Sequence, residues 1–197
     1  MDKLINEKNP NYQIALSELL LEEIPFDKFY RIAGDLFYFH DHPSFELMEV
    51  PLDQIRPLTR HVYQPRLDKA ARFMEMYTKF QIPLFKPARC FNTVSKIQIV
   101  SPPIVEVHNN HYVLCDGTHR VYQARKAGLK TIIVLAVKGT IIPLPGDVND
   151  WQDVRELKEE VSVAENFINF KKEFLTGYTW IFNGEKCWMT KDDYDRV

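Results

Sequence analysis

The sequence predicts a mixed α/β domain, because runs of residues that suit strands alternate with runs that suit helices. Three extended apolar runs follow one another at 102–107, 112–115 and 131–137. Between the second and the third, Asp116-Gly117 breaks the extended pattern, and an amphipathic run from Val121 to Ala127 follows. A strand, a tight turn, a helix and a further strand in this order predict a sheet with a helix packed on one face.

The first third of the chain predicts helices and a strand that lie on this core. Residues 12–24 combine helical spacing with good helix formers, and Pro25 marks the end of the predicted helix. Residues 26–49 are rich in aromatic side chains and predict a short helix followed by a strand. A strand at 47–55 and a helix at 67–79 then open the central part.

The stretch at 83–101 is interpreted either as a lid over a site or as an ordinary loop. With this stretch inside the core, the chain divides into three parts. We expect an N-terminal helical and aromatic extension at 1–46, a central α/β core at 47–140 and a C-terminal addition at 141–197.

The C-terminal addition predicts two helices and a hairpin. The helices are expected at 150–162 and 164–175. Next, an Asn-Gly pair at 183–184 stands between two apolar runs, at 178–182 and 185–190. Asn-Gly in this position is typical of a tight β-hairpin turn.

Composition narrows the class of protein. The chain has 197 residues, which suffice for a full hydrophobic core. Its three cysteines are widely spaced, which favours reduced thiols and a cytoplasmic protein over a disulfide framework or a zinc site. The sequence has no apolar stretch of about 20 residues and no apolar region of a signal peptide at its start, so no membrane partner is expected.

The net charge is -2, but basic and acidic residues are distributed unevenly along the chain. Residues 54–146 carry 14 lysines and arginines against 4 acidic residues, whereas 1–53 and 147–197 are both acidic. A basic core suits a polyanionic ligand. The acidic ends argue against a broad DNA-binding surface, because binding to phosphate backbones needs several unopposed cations. Alternatively, the acidic ends fold over the basic middle and neutralise it.

Residues 116–120, Asp-Gly-Thr-His-Arg, carry the candidate chemistry. A helix that begins after a tight turn leaves backbone N–H groups free, and its dipole makes that end positive. Arg120 adds donors that suit phosphate oxygens, while His119 donates to phosphate or moves a proton. Thr118 offers a hydroxyl, and Gly117 lets the backbone approach closely. Asp116 holds Mg²⁺ or orients an acceptor hydroxyl. The stretch therefore predicts a site for nucleotide phosphates.

The same residues also have structural interpretations. Arg120 is alternatively the partner of an acidic neighbour, and His119 packs or caps. Asp116 alternatively caps the helix start through its carboxylate. If Arg120 binds phosphate, Arg120→Ala is expected to lose the ligand and keep the fold.

Four segments of the chain resemble the ParB/sulfiredoxin superfamily. They are VPLDQI at 50–55, YQPR at 63–66, PPIVEV at 102–107 and VLCDGTHRVYQARKAGLKTIIVLAV at 113–137. The DGTHR motif is nearest the Asp-Gly-x-His-Arg form of the free-serine kinases in that superfamily. The resemblance implies a ParB/sulfiredoxin-like core with a small mixed sheet and helices, extended by the N-terminal helical part and the C-terminal helices and hairpin.

The resemblance also implies a nucleotide ligand, which is ATP, ADP or CTP with Mg²⁺. Gln64 and Arg66 belong to the QPR segment, which lies beside the nucleotide in the family. Two features of the family are missing: Thr118 replaces the catalytic cysteine of sulfiredoxins, and 56–61 lack the catalytic glutamate of the serine kinases. His61 is a candidate replacement base, because an unperturbed histidine titrates near neutral pH.

Two classes of function remain open. The first is a Mg²⁺-dependent small-molecule kinase or nucleotide hydrolase, with a small hydroxylated substrate as partner. The second is a non-catalytic module of the ParB type that senses CTP or ATP or associates with DNA. A nuclease ranks third, because the sequence shows no cluster of carboxylates for a two-metal site.

Overall fold

The computed structural model describes residues 20–34, 44–91, 96–108, 111–139, 143–174, 188–190 and 194. These residues form a mixed α/β structure, as the sequence predicts. The strands are β1 (Leu20–Glu23), β2 (Ser44–Pro51), β3 (Ile55–Pro57), β4 (His61–Tyr63), β5 (Ala88–Phe91), β6 (Lys96–Val100), β7 (Ile104–His108), β8 (His111–Asp116), β9 (Thr131–Lys138), β10 (Arg155–Leu157) and β11 (Trp188–Thr190). The helices with described bounds are α1 (Phe26–Gly34), α2 (Gln64–Lys79) and α3 (Thr118–Lys126), and residues 172–174 are also helical.

The centre of the fold is a five-stranded mixed sheet in the order β2-β9-β7-β8-β3. Strand β9 is antiparallel to β2 and parallel to β7, while β8 is antiparallel to β7 and parallel to β3. Helices α2 and α3 cover one face, where Tyr77 and Val121 pack with Leu114. Phe29 of α1 and Ile99 of β6 cover the other face. The sheet is therefore buried on both sides.

The unit from β7 to β9 confirms the sequence prediction of strand, turn, helix and strand. The helix predicted at 67–79 is also confirmed, although α2 begins three residues earlier, at Gln64. The short helix and strand predicted in 26–49 are confirmed as α1 and β2. The single strand predicted at 47–55 is wrong in its extent, because β2 ends at Pro51 and the chain turns before β3.

The stretch at 83–101 is neither a lid nor an ordinary loop. Its strands β5 and β6 pair antiparallel at the centre of a second sheet, in the order β1-β5-β6-β11. Ala88 and Cys90 of β5 are buried, as are Ile97 and Ile99 of β6. This alternation of buried and outward residues is the signal of a half-buried strand that the sequence interpretation missed.

The helix predicted at 12–24 is wrong where the structure describes it. Residues 20–23 form strand β1, which pairs antiparallel with β5, Leu20 opposite Phe91 and Glu23 opposite Ala88. Leu21 is buried in the core by this pairing. Tertiary pairing has therefore overridden the local helix propensity. Residues 12–19 lie outside the described part of the chain.

The helix predicted at 150–162 is also wrong, and the helix predicted at 164–175 is wrong over most of its described residues. Short 3-10 turns occur at Trp151–Asp153 and Ala164–Asn166, with strand β10 between them, and only residues 172–174 of the second predicted helix are helical. The backbone of β10 pairs in parallel with β4, which replaces the hydrogen bonds that a helix would make. Of the predicted hairpin, residues 188–190 form β11 and pair with β6, while 178–182 lie outside the described residues.

Ion pairs join the basic middle of the chain to its acidic ends, as the neutralisation alternative predicts. The pairs of this kind are Arg56–Asp150, Arg66–Glu160, Lys86–Glu23, Arg89–Glu22, Lys126–Glu156 and Lys138–Glu46. The cations of the middle are therefore opposed by carboxylates on several surfaces. In the parts of the chain that the structure describes, no helix is long and apolar enough to cross a membrane.

Candidate functional site

The candidate site begins where β8 ends and α3 starts. Gly117 has a φ of +88° and lies directly before the helix. A Cβ atom at this position would lie 3.0 Å from Nη2 of Arg120 and 3.0 Å from Cβ of Pro103. Glycine is therefore required both by the left-handed backbone and by the close approach of its neighbours.

The start of α3 packs against the segment that leads into α2. Thr59 donates its hydroxyl to the Oγ1 atom of the buried Thr118 at 3.2 Å. The rings of Tyr63 and His119 pack in a tilted arrangement, with centroids 5.6 Å apart and planes 31° apart. Because Tyr63 is the residue directly before α2, these contacts bring the starts of the two helices together.

The starts of α2 and α3 both lack the acidic and capping side chains that usually bind the free backbone N–H groups of a helix. Neither α2 nor α3 has an acidic residue in its first turn, and neither is capped by a side-chain hydrogen bond. Backbone N–H groups at such a start carry partial positive charge and have no hydrogen-bond acceptor within the helix. Pro65 near the start of α2 removes one of these donors without harm, since it has no N–H.

Two arginines of the site are held by carboxylates. Arg66 pairs with Glu160 at 2.7 Å, and about half of each side chain is exposed. Arg120 donates to Oδ2 of Asp116 at 3.1 Å and also to the carbonyl of Ser101. The salt-bridge interpretation of Arg120 therefore describes its contacts in this structure. A phosphate ligand would have to compete with both carboxylates.

His119 is neutral at pH 7 in this environment. Burial, together with the charges of Arg66 and Arg120, lowers the pKa of His119 to about 4. These effects also show that both arginines lie within electrostatic reach of the ring. The Nε2 atom of His119 is buried and has no hydrogen-bond partner. Leaving a buried polar atom unpaired costs about 1–3 kcal/mol, so an acceptor or donor from outside would stabilise it.

His61 lies on β4, two residues before Tyr63. Side chains alternate along a strand, so His61 and Tyr63 of β4 share one face. Burial lowers the pKa of His61, and the charge of Arg60 adds to this. Its Nδ1 atom is likewise buried without a hydrogen-bond partner. A second imidazole nitrogen atom without a hydrogen-bond partner therefore lies on β4, the strand that leads into α2.

Two further predicted site residues, Gln64 and Asp116, have side chains that are partly or fully exposed to solvent. Gln64 lies at the start of α2, but its exposed side chain donates to Asp68 at 2.8 Å on the same helix. Asp116 keeps 39% of its side chain exposed beside Arg120. The described residues contain no group of three or more histidine, cysteine, aspartate or glutamate side chains that would hold a metal ion. A divalent ion at Asp116 would therefore depend on ligand phosphates for most of its coordination.

Cys115 does not offer thiolate chemistry. Burial raises the pKa of its thiol well above the usual value, and the charge of Glu106 adds to this. A neutral, enclosed thiol is a poor nucleophile.

Several groups of the site were missed by the sequence interpretation. Tyr63, Thr59 and the carbonyl of Ser101 border the motif, and Glu160 reaches it from the C-terminal part. Tyr63 directly precedes the QPR segment, and this position in the sequence could have indicated that Tyr63 belongs to the site. Glu160 gave no local signal, because its contact with Arg66 joins residues far apart in the chain.

Comparison of the chain with protein-family models, with curated proteins and with solved structures finds no match. The site must therefore be interpreted from its own residues.

Proposed function

We propose that this protein binds the phosphate groups of a nucleotide, with Mg²⁺, at the adjoining starts of α2 and α3. The observation that carries the proposal is the composition of these starts. They lack acidic residues and side-chain caps, and they combine Arg66, Arg120 and the unpartnered Nε2 of His119. A helix start of this kind attracts an anion from outside the helix. The resemblance of residues 50–138 to ParB/sulfiredoxin proteins supports the same ligand.

Each side chain would have a separate role. Arg66 and Arg120 would exchange their carboxylate partners for phosphate oxygens, which accept the planar donor pair of a guanidinium well. Neutral His119 would donate Nε2–H to a further phosphate oxygen. Once Arg120 has exchanged Asp116 for phosphate, the freed carboxylate of Asp116 would help to hold Mg²⁺.

We favour phosphoryl transfer, by a small-molecule kinase or a nucleotide hydrolase. Such reactions depend mainly on positioning and on neutralising charge, which two arginines and two helix starts supply. The lowered pKa of His61 keeps its imidazole neutral at pH 7, so it can accept a proton from a hydroxyl or from water. With a pKa of about 4, His119 is a weaker base and serves as the donor to phosphate. A small hydroxylated compound would be the acceptor in the kinase reaction.

A non-catalytic role in nucleotide sensing is the second candidate. It is favoured by the pairing of Asp116 with Arg120, which occupies the carboxylate of the DGTHR motif. A DNA-associated role is less well supported, because carboxylates of both chain ends oppose the cations of the middle. A nuclease remains third, since the described residues offer no cluster of metal ligands.

A thermal-shift series tests the proposal. ATP, ADP, CTP and GTP are each added with and without Mg²⁺ to the wild type, to Arg66→Gln and to the control Arg72→Gln. A ligand at about 100 times its dissociation constant stabilises the folded state by about 2.7 kcal/mol. We expect one nucleotide to stabilise the wild type and the control, and to stabilise Arg66→Gln much less. Arg72 is exposed six residues further along α2, so its loss should not affect phosphate binding.

No stabilisation by any nucleotide would contradict the proposed function. If a nucleotide does bind, phosphate release with and without small hydroxylated compounds distinguishes the two roles. Turnover that depends on His119 supports an enzyme, whereas saturable binding without turnover supports a sensing module.

A further inference from the structure

The loop at 158–163 is anchored on both sides of the candidate site. Before the loop, β10 pairs in register with β4. After the loop, the backbone carbonyl of Asn166 accepts from the N–H of Arg60 at 2.9 Å, and its side-chain oxygen accepts from the N–H of His61 at 3.0 Å. The two ends are therefore fixed to the strand that borders the site.

The middle of the loop contacts residues of the site. Glu160 pairs with Arg66 at 2.7 Å, and the N–H of Val161 donates to the hydroxyl of Tyr63 at 3.4 Å. Arg66 is the cation at the start of α2, and Tyr63 packs against His119. The side chains at 158–160, 162 and 163 are exposed to solvent. The loop is thus a short exposed segment that contacts two residues of the candidate site, Arg66 and Tyr63.

We infer that this loop is a gate that competes with the ligand for Arg66. The inference rests on the proposed phosphate-binding function. Glu160 presents carboxylate oxygens to the donors that phosphate oxygens would take, so both cannot bind Arg66 in the same way. Ligand binding displaces Glu160 and loosens the loop between its two anchors. By linkage, the docked loop weakens ligand binding by the same factor as the ligand weakens docking.

Titration calorimetry with magnesium pyrophosphate measures this competition without involving a nucleoside. We compare the wild type with Glu160→Gln and with the matched control Glu159→Gln, which alters an exposed neighbour in the same loop. An exposed ion pair contributes little, so Glu160→Gln should tighten binding about two- to fivefold. The control should bind like the wild type. The difference between Glu160→Gln and the wild type should shrink at high salt, which screens the ion pair.

Limited proteolysis reports the position of the loop directly. Trypsin cleaves after Lys158, which is exposed at the start of the loop. Pyrophosphate should speed this cleavage in the wild type, because the ligand releases Glu160 from Arg66. In Glu160→Gln the cleavage should be fast without ligand. Mass spectrometry identifies the cut, and melting temperatures verify that both variants fold.

The outcomes separate the gate from the binding site. If pyrophosphate binds the wild type and Glu160→Gln equally, the gate is wrong and phosphate binding stands. If pyrophosphate binds neither protein, the proposed function fails and the gate fails with it. If Glu160→Gln weakens binding, or if the ligand protects Lys158 from trypsin, then the loop holds the ligand and competition is excluded.

Discussion

Helices α1 and α3 begin in opposite ways. Helix α1 has Asp27 in its first turn and Arg31 in its last, and these two side chains form an exposed pair at 3.7 Å. This is the usual arrangement of charges around a helix dipole. Helix α3 instead follows a left-handed glycine and has His119 and Arg120 in its first turn, with no acidic residue there.

In α1, a carboxylate of the helix itself offsets the positive end of the helix dipole. In α3, the positive end depends on groups outside the helix. The positive end of α1 has a carboxylate in the same turn. The positive end of α3 gains more positive charge from Arg120 and from Arg66 of the neighbouring helix. Such a concentration of donors destabilises the folded state unless an anion satisfies it. The start of α3 is therefore where we place function.

The largest effect is expected at the glycine that begins α3. Gly117→Ala must adopt a φ of +88° and must push Pro103 or Arg120 away from its Cβ. We expect a loss of roughly 2–3 kcal/mol in the free energy of unfolding. Gly128, at the other end of α3, has a φ of +76° but nothing within 4 Å of its Cβ position.

Gly128→Ala is therefore the matched control and should cost about 1 kcal/mol. Urea denaturation of both variants measures the difference. Equal losses in the two variants would show that the close packing at Gly117 is unimportant.

A smaller loss of stability is expected when Arg120 is removed. Arg120→Ala breaks the bonds to Asp116 and to the carbonyl of Ser101, and we expect it to cost about 2 kcal/mol. That this variant keeps its fold stays a prediction. Arg31→Ala in α1 removes an exposed pair and should cost less than about 0.5 kcal/mol. Thermal unfolding of the two variants tests the contrast, which similar losses would refute.

The last prediction concerns the pH dependence of stability. His119 has a pKa of 6.5 when unperturbed and of about 4 in the folded protein. Between these values the unfolded chain binds a proton that the folded protein does not. The free energy of unfolding should therefore fall as the pH falls from about 6.5 to about 4, by at most about 1.4 kcal/mol per pH unit.

Replacing the imidazole of His119 should make this slope shallower. Chemical denaturation of the wild type and of His119→Gln, over pH values from about 4.5 to 7, measures the slope. Parallel curves for the two proteins would show that His119 is not the group that titrates.

The sequence predicts the part of the fold whose signals are local. The unit from β7 to β9 follows from apolar runs, from Asp116-Gly117 and from Gly128, all within 40 residues. Strand β1 was missed because its local sequence favours a helix, whereas pairing with β5 makes it a strand in the folded protein. Strand β10 was missed because its partner, β4, lies far away in the chain. Pairing over such separations leaves no trace in a local pattern.

The same limit applies to the candidate site. The residues of the DGTHR motif are close in sequence, so their common position at the start of α3 was predictable. The contact between Thr59 and Thr118 spans 59 residues, and the contact of Arg66 with Glu160 is longer still. The partners that decide the charge and orientation of the motif therefore become visible only in the folded structure.

Nuclear magnetic resonance of the histidine rings tests the central claim most directly. The magnesium nucleotide that gives the largest thermal shift is titrated into the protein, with ring signals assigned through His119→Gln, His61→Gln and His111→Gln. His111 lies at the far end of β8, about 17 Å from Asp116 at 3.4 Å per residue. We predict that the signals of His119 and His61 move together as the site fills, while that of His111 stays in place. Saturable binding that leaves the signal of His119 unchanged would place the ligand elsewhere and contradict the account.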